Sequence, residues 1–148
     1  MKHVAEELRA EIESSYPRLR ALTEVEVSGP RADGKWSRKE ILGHLIDSAA
    51  NNHQRFVRAQ MVAAFEWPGY EQNEWVRAHG YSDQPWTELL GLWLALNNHV
   101  ARVIELVPDS KAGTRCTIGA GGAVTLEWLM RDYVHHLRHH LAQILEPA

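Results

Sequence analysis

The segment Leu126–Ile144, LEWLMRDYVHHLRHHLAQI, decides the fold because its apolar residues recur at the spacing of an α-helix. At about 100° per residue, one stripe of such a helix collects six large side chains, namely Leu126, Met130, Tyr133, Leu137, Leu141 and Ile144. A stripe of this length has to be covered by other apolar surfaces. The segment therefore predicts one long helix of a helical bundle.

Four histidines lie between residues 135 and 140 of this helix, and they face two ways. His140 falls within the apolar stripe and His136 at its edge, whereas His135 and His139 point to the opposite, polar side. His136 and His140 thus form an inward-facing pair, with Cβ atoms roughly 6 Å apart. Such a pair can grip a divalent metal from one rigid face. Without a metal, the two rings need other partners in the core.

Two amphipathic segments precede the middle of the chain. The first runs from about residue 4 to residue 22, and Pro17 is expected to kink or divide it. The second opens at Ser37, where Glu40 three residues later completes a capping-box pattern, and continues to about Phe65. Both segments carry apolar residues at helical spacing.

A third helix is expected after Asp83, which is predicted to be its N-cap, with Pro85 in its first turn and Pro108 as its stop. Two long connections flank this helix. Residues 67–84 are aromatic and polar, which is typical of a lid or the wall of a site. Residues 109–124 are expected to hold a short extended piece or a hairpin before Thr125 caps the last helix.

Four helices with unequal connections define the expected fold class. The chain is predicted to be all-α, a four-helix bundle with long crossover connections rather than a simple up-down-up-down bundle. Its 148 residues fit a single domain, 1–148.

Composition excludes several classes of function. A formal net charge of -3 with mixed signs offers no electrostatic footprint for nucleic acid or an anionic membrane. The single cysteine, Cys116, excludes an internal disulfide and a multi-cysteine zinc site. The sequence shows no leader and no apolar run near the roughly 20 residues of a membrane span. We therefore expect a soluble, cytoplasmic protein without a nucleic-acid or membrane partner.

A third metal ligand is expected from a helix that faces the histidine pair. The second helix offers His44, Asp47 and His53, and the third offers His99. Periodicity alone does not choose among them. Asp47 could instead orient a ligand imidazole as a second-shell acceptor, or form a salt bridge.

Two motifs resemble those of a known family. Trp36–Ser48, WSRKEILGHLIDS, resembles the opening motif of the DinB-like superfamily, and His136–Ile144, HLRHHLAQI, is similar to the H-x-x-x-H-x-x-Q-I pattern of its last helix. Arg55-Phe56 and the segment 68–75 resemble its branch related to bacillithiol S-transferases. The resemblance extends from Trp36 to Ile144, which is most of the chain.

The resemblance implies a three-histidine site for one divalent metal ion, with His44, His136 and His140 as ligands. Neutral nitrogen donors favour zinc or nickel over a hard, oxygen-seeking ion. Three protein ligands leave coordination positions open, which is typical of a catalytic centre. Tyr70 and, beside it, Asn73 and Trp75 are the candidates for the mouth of a substrate pocket.

Three functions are compatible with such a site. The most concrete is a thiol-S-transferase that passes a low-molecular-weight thiol to a small electrophile. The alternatives are a metal-hydroxide hydrolase of a small compound and a non-catalytic, stress-related protein that binds a metal or a ligand. A homodimer is also expected, because aromatics on polar helix sides, such as Trp86, exceed the needs of one small core, and because the resemblance implies pairing.

Overall fold

Four long helices form the body of the structure, a computed structural model that describes residues 1–147. Shorter helices and three short strands occupy the connections. In chain order the elements are α1 (Lys2–Arg20), α2 (Glu24–Val27), α3 (Arg38–Ala59), β1 (Ala64–Trp67), α4 (Gln72–His79), a 3-10 helix (Tyr81–Asp83), α5 (Trp86–Leu106), α6 (Asp109–Ala112), β2 (Arg115–Ile118), β3 (Val124–Thr125) and α7 (Leu126–Leu145).

The four long helices follow a crossover order around the bundle. Helix α1 packs against α5 and α7, and α3 packs against the same two helices from the other side. Consecutive long helices α1 and α3 therefore lie across the bundle from one another, whereas an up-down-up-down bundle would place them side by side. This arrangement confirms the predicted four-helix bundle with crossover connections, and it sets α3 beside α7.

The predicted caps of two site-bearing helices are present. At the start of α3, Glu40 N donates to Ser37 Oγ at 3.1 Å and Ser37 N donates to Glu40 Oε2 at 2.7 Å, which completes the capping box. At the start of α7, Trp128 N donates to Thr125 Oγ1 at 3.1 Å. These bonds satisfy backbone N–H groups that no helical carbonyl can reach. They fix where both helices begin.

Three expectations about helix boundaries were wrong. Helix α1 passes through Pro17 undivided and ends at Arg20, because a proline in the last turn removes few helical hydrogen bonds. Helix α3 ends at Ala59, since Phe65 is drawn into β1. Asp83 does not cap α5. Pro85 is the N-cap residue, and the side chain of Glu24 accepts from the first helical N–H.

The position of Trp86 does not support the prediction of a homodimer. Trp86 is buried, with 2% of its surface exposed, and its indole Nε1 donates to Leu19 O at 3.0 Å. The ring therefore joins α5 to α1 inside one chain. The homodimer stays a prediction without this support.

A three-stranded sheet ties the two long connections together. β1 pairs in parallel with β2, and β2 pairs antiparallel with β3, so the expected hairpin in the second connection is present. Phe65 lies opposite Cys116, and both side chains are buried. Periodicity did not predict this pairing, because strands of only two to four residues are too short to show a clear alternation of apolar and polar residues. Within residues 1–147, no helix is long and apolar enough to cross a membrane.

Candidate metal centre

The contact between α3 and α7 brings together His44, His136 and His140. Each offers one ring nitrogen, and the three nitrogens lie within 4.8 Å of one another. His44 Nε2 and His136 Nε2 are 3.0 Å apart. Two nitrogens that each lie about 2.0–2.1 Å from a shared zinc ion are separated by roughly 3.0–3.4 Å. The predicted set is therefore gathered in an arrangement that suits a metal ion.

The helix faces explain this convergence. His44 is buried on α3, with 2% of its surface exposed, and His136 and His140 are half-buried on α7. His135 and His139 are exposed on the same helix. The apolar stripe of α7 turns one histidine pair inward and leaves the other in solvent, as the periodicity predicted.

Burial keeps the three rings neutral. Burial, with a smaller effect from nearby His140, lowers the pKa of His44 to about 4. Burial, with His140 and His44 next in effect, lowers the pKa of His136 to about 3. The pKa of His140 is also lowered by burial, although the hydrogen bond that His140 donates to Gln143 opposes the shift. Near neutral pH, the rings therefore offer lone pairs rather than positive charge.

Gln143 holds His140 in one orientation. Its Oε1 lies 2.8 Å from His140 Nδ1, so the amide oxygen accepts from an Nδ1–H and leaves Nε2 with the free lone pair. The second contact of Gln143, from Nε2 to His139 Nε2 at 3.3 Å, also lies within α7.

The donor set fits a borderline metal ion. Within the described residues, the cluster contains three imidazoles and no carboxylate or thiol. Neutral imidazole donors suit zinc, nickel or copper better than calcium or magnesium. His44 Nδ1 and His136 Nδ1 are buried and have no partner in residues 1–147. The converging Nε2 atoms and this chemistry are compatible with His44, His136 and His140 as ligands of one divalent ion.

Asp47 contacts groups other than a ligand imidazole, which was one of its two predicted partners. Its Oδ1 accepts from Tyr81 OH at 2.6 Å and lies 3.1 Å from His79 Nδ1. Burial raises the pKa of this carboxyl, and the contacts with Tyr81 and His79 oppose the rise. In residues 1–147 it makes no hydrogen bond to His44, because it leans toward the segment after α4. Asp47 therefore joins α3 to Tyr81 and His79.

Tyr81 is a residue that the sequence reasoning missed. Its ring lies against α3 where Gly43 has no side chain, and a Cβ added at Gly43 would come within 2.0 Å of Tyr81 Cδ2. Together with the Asp47 bond, this contact fixes the first long connection beside His44. The signal in the sequence was a glycine inside a helix next to a ligand.

Cavities lie on both sides of the cluster. One, of about 470 Å³, is lined by His44 and His136 together with Tyr70. A second, of about 290 Å³, is lined by His140 and Asn73. Two of the three predicted pocket residues therefore lie beside the cluster. Trp75 lines neither of these cavities but borders another one with Tyr70.

The remaining sequence candidates lie outside the cluster. His53 Nε2 and His99 Nε2 are 3.3 Å apart, so α3 and α5 pair these two rings with each other. Cys116 is buried, and burial raises the pKa of its thiol. A thiol in that state is a poor nucleophile and a poor metal ligand.

Comparisons with known proteins agree with this fold. A family model described as the DinB superfamily matches residues 7–144. A Geobacillus thermodenitrificans protein, described as "putative metal-dependent hydrolase", is 27% identical over 128 residues, covering 84% of this chain and 70% of that protein. The Bacillus subtilis protein YfiT, with the same description, is 25% identical over 148 residues, covering 97% of this chain and 79% of YfiT.

Two solved structures share the architecture. YfiT from Bacillus subtilis, described as having an unusual four-helix bundle topology, matches with a TM-score of 0.81 at 22% identity, over 97% of this chain and 81% of that one. A mycothiol-dependent maleylpyruvate isomerase matches with a TM-score of 0.76 at 12% identity, over 96% of this chain and 59% of that one. At these identities, the likeness shows the fold.

Proposed function

The chain belongs to the DinB superfamily, and on that premise we propose that it is a metal-dependent hydrolase of a small molecule. In this proposal, His44, His136 and His140 hold one divalent ion, with zinc or nickel as the best fit. The observation that carries it is the convergence of three neutral imidazoles beside a cavity of about 470 Å³. The description of two relatives as "putative metal-dependent hydrolase" supports the reaction class.

The cluster is suited to activating a bound group. A divalent ion supplies Lewis-acid chemistry at such a site, by lowering the pKa of a water or a thiol in contact with it toward neutrality. The three rings add no negative charge that would offset the charge of the ion. Their lowered pKa values also keep protons from competing for the ring nitrogens near pH 7.

The first long connection completes the cavity. Tyr70 comes from this connection and lines the cavity together with His44 and His136. Tyr81, from the same connection, is held against α3 by its bond to Asp47. A wall fixed in this way limits water around a bound substrate. The volume fits a small molecule rather than a polymer.

A second candidate is a thiol-S-transferase that uses a low-molecular-weight thiol. The observation that favours it is the second cavity, on the His140 side of the cluster. Two cavities that share a metal centre provide separate places for a thiol and for an electrophile. The mycothiol-dependent enzyme that shares this fold supports the compatibility of the fold with thiol chemistry.

The decisive experiment compares the two reactions in one preparation. Protein loaded with zinc or nickel and protein stripped with a chelator are assayed against a panel of small esters and amides. Metal-dependent hydrolysis that is lost in His140→Ala supports the hydrolase. Equal rates in the loaded and stripped forms would contradict it.

To test the thiol-S-transferase, cobalt-substituted protein is titrated with cysteine and with glutathione. A thiolate-to-metal charge-transfer band, together with transfer of the thiol to an electrophile, would make the transferase the better description. A non-catalytic binding protein is the remaining alternative. It would be supported by full metal loading without turnover in either assay.

A further inference from the structure

Arg55 is a buried cation on α3 that has no acidic partner within residues 1–147. Only 8% of its surface is exposed. The ion pairs within residues 1–147 involve other basic groups, and none of them includes Arg55. A buried charge is costly unless it is paired and hydrogen-bonded, and arginine stays protonated in proteins. The stability of the fold therefore does not explain why an arginine occupies position 55.

The guanidinium is poorly satisfied by the protein itself. Its Nη1 donates to Asn52 Oδ1 at 3.4 Å, and its Nη2 donates to Pro68 O at 3.5 Å. Its Nε is buried and has no partner in the described part of the chain. An arginine has five N–H donors, and here two long bonds to neutral oxygens are all that they make. The group retains the capacity to bind an anion.

Arg55 shares a cavity with the metal centre. It lines the cavity of about 470 Å³ together with His44 and His136. Arg55 follows His44 by eleven residues, which is close to three helical turns, so both residues lie on one face of α3. Because helical side chains tilt toward the N-terminus, the Arg55 side chain leans toward His44. A ligand in this cavity can reach both.

The other charged and titratable groups around the cavity set the charge of that ligand. Besides Arg55 and the two ligand histidines, they are Tyr70, Tyr133 and the exposed Asp132. The Tyr70 ring lies against the guanidinium, with a distance of 5.9 Å from Arg55 Cζ to the ring centroid. Apart from an ion held by the histidines, which would meet the reacting end of the ligand, one buried cation and one exposed carboxylate favour a singly charged anion over a phosphate dianion.

We infer that Arg55 binds a carboxylate group of the substrate and thereby orients the substrate's other end toward the three histidines. A carboxylate in the cavity can accept N–H bonds from the terminal Nη1 and Nη2 groups, in exchange for the long bonds to Asn52 Oδ1 and Pro68 O. The reaction at the substrate's other end rests on the proposed function. The binding of the carboxylate by Arg55 does not. It assigns the substrate class as small carboxylic acids that react at a second position.

The test follows the Arg55 Nε–H resonance by NMR in zinc-loaded and in metal-stripped protein. The probes are hexanoate, its neutral analogue hexanamide, and hexyl phosphate. Hexanoate is expected to shift the Arg55 resonance in a saturable way in both forms, because binding at Arg55 does not need the metal. Hexanamide should leave the resonance in place. Absence of a shift with hexanoate in both forms would overturn the inference, and tighter binding of hexyl phosphate would overturn the carboxylate assignment.

Variants supply a second measurement. Arg55→Met should weaken hexanoate binding at least tenfold while the protein remains folded, because an apolar side chain of similar length removes a buried, unpaired charge. Arg58→Met is the matched control, since Arg58 is exposed on the same helix and does not line this cavity. Unchanged hexanoate binding in Arg55→Met would contradict the inference, and the NMR titration of the unmodified protein decides the matter even if that variant fails to fold.

The two proposals fail in different ways. Hexanoate binding that persists in metal-stripped protein and in His44→Ala, without any metal-dependent turnover, would reject the enzyme and retain the carboxylate site. Metal-dependent turnover that Arg55→Met leaves unchanged for carboxylate substrates would retain the enzyme and reject the role of Arg55.

Discussion

His44 Nε2 and His136 Nε2 lie 3.0 Å apart, although 92 residues separate them in the chain. At this distance, two neutral imidazoles can share one proton, or both can present lone pairs to an ion. Both rings belong to long helices whose starts are fixed by capping bonds. The distance therefore reflects the packing of α3 against α7 rather than a mobile loop.

Replacing His140 by alanine should abolish stoichiometric metal binding. Two remaining histidines make a weak site, because the third nitrogen closes the ligand set on the side of the smaller cavity. Metal content after dialysis, measured by elemental analysis against protein concentration, checks this expectation.

His135→Ala is the control for that variant, since His135 is exposed on the same helix. It should keep the full metal content. His139 is a less clean control, because it contacts Gln143, which in turn holds His140. Equal losses in His135→Ala and His140→Ala would show that the assignment by helix face is wrong.

Gln143→Leu should weaken metal affinity by about 10-fold or more, as for other residues that orient ligand imidazoles. The reason is the loss of the 2.8 Å contact that holds His140 Nδ1. Gln143→Glu should preserve affinity, because a carboxylate oxygen can accept the same proton. Competition with a chromophoric chelator measures both. Unchanged metal affinity in Gln143→Leu would show that Gln143 does not orient His140 for metal binding.

The stability of the metal-stripped protein should fall as the pH is lowered below about 6.5. The folded protein holds the pKa of His44 at about 4 and that of His136 at about 3, below the ordinary value of 6.5. Between these values, the unfolded chain binds more protons than the folded chain, so stability rises with pH across the window. Each of the two histidines should lose about 2 kcal/mol of its contribution between pH 7 and pH 5, so we expect a total loss on the order of 4 kcal/mol.

Urea unfolding at the two pH values measures this loss. His136→Gln should show a smaller difference between pH 7 and pH 5, because it removes one of the two groups. A variant with the same pH dependence as the unmodified protein would mean that other groups cause the effect.

Gly43→Ala should destabilise the protein by about 1–3 kcal/mol, as expected for overpacking. The added Cβ would collide with the ring of Tyr81, which cannot move without giving up its bond to Asp47. Gly91→Ala is the matched change, because Gly91 lies in α5 with open space around it. Helix propensity predicts that this control gains up to about 1 kcal/mol. Thermal unfolding of the two variants should therefore shift in opposite directions.

Much of the fold could be predicted because its signals are local. The stripe of α7, the capping box at Ser37 and the hydroxyl of Thr125 act within a few residues. Two of the three boundaries that were wrong depend on distant partners instead. The first N–H of α5 is satisfied by Glu24, and α3 stops where β1 pairs with β2. Propensity and periodicity carry no information about such partners.

The sequence by itself determined that His136 and His140 face inward, because the 3.6-residue period of a helix assigns each side chain to a face. It also indicated His44 through the resemblance of its motif. Only the tertiary structure decided that these rings meet, that Asp47 turns toward Tyr81, and that Arg55 has no counter-charge among the residues described. The physical reason is that distances between helices, and the partners of buried polar atoms, arise from packing between segments far apart in the chain.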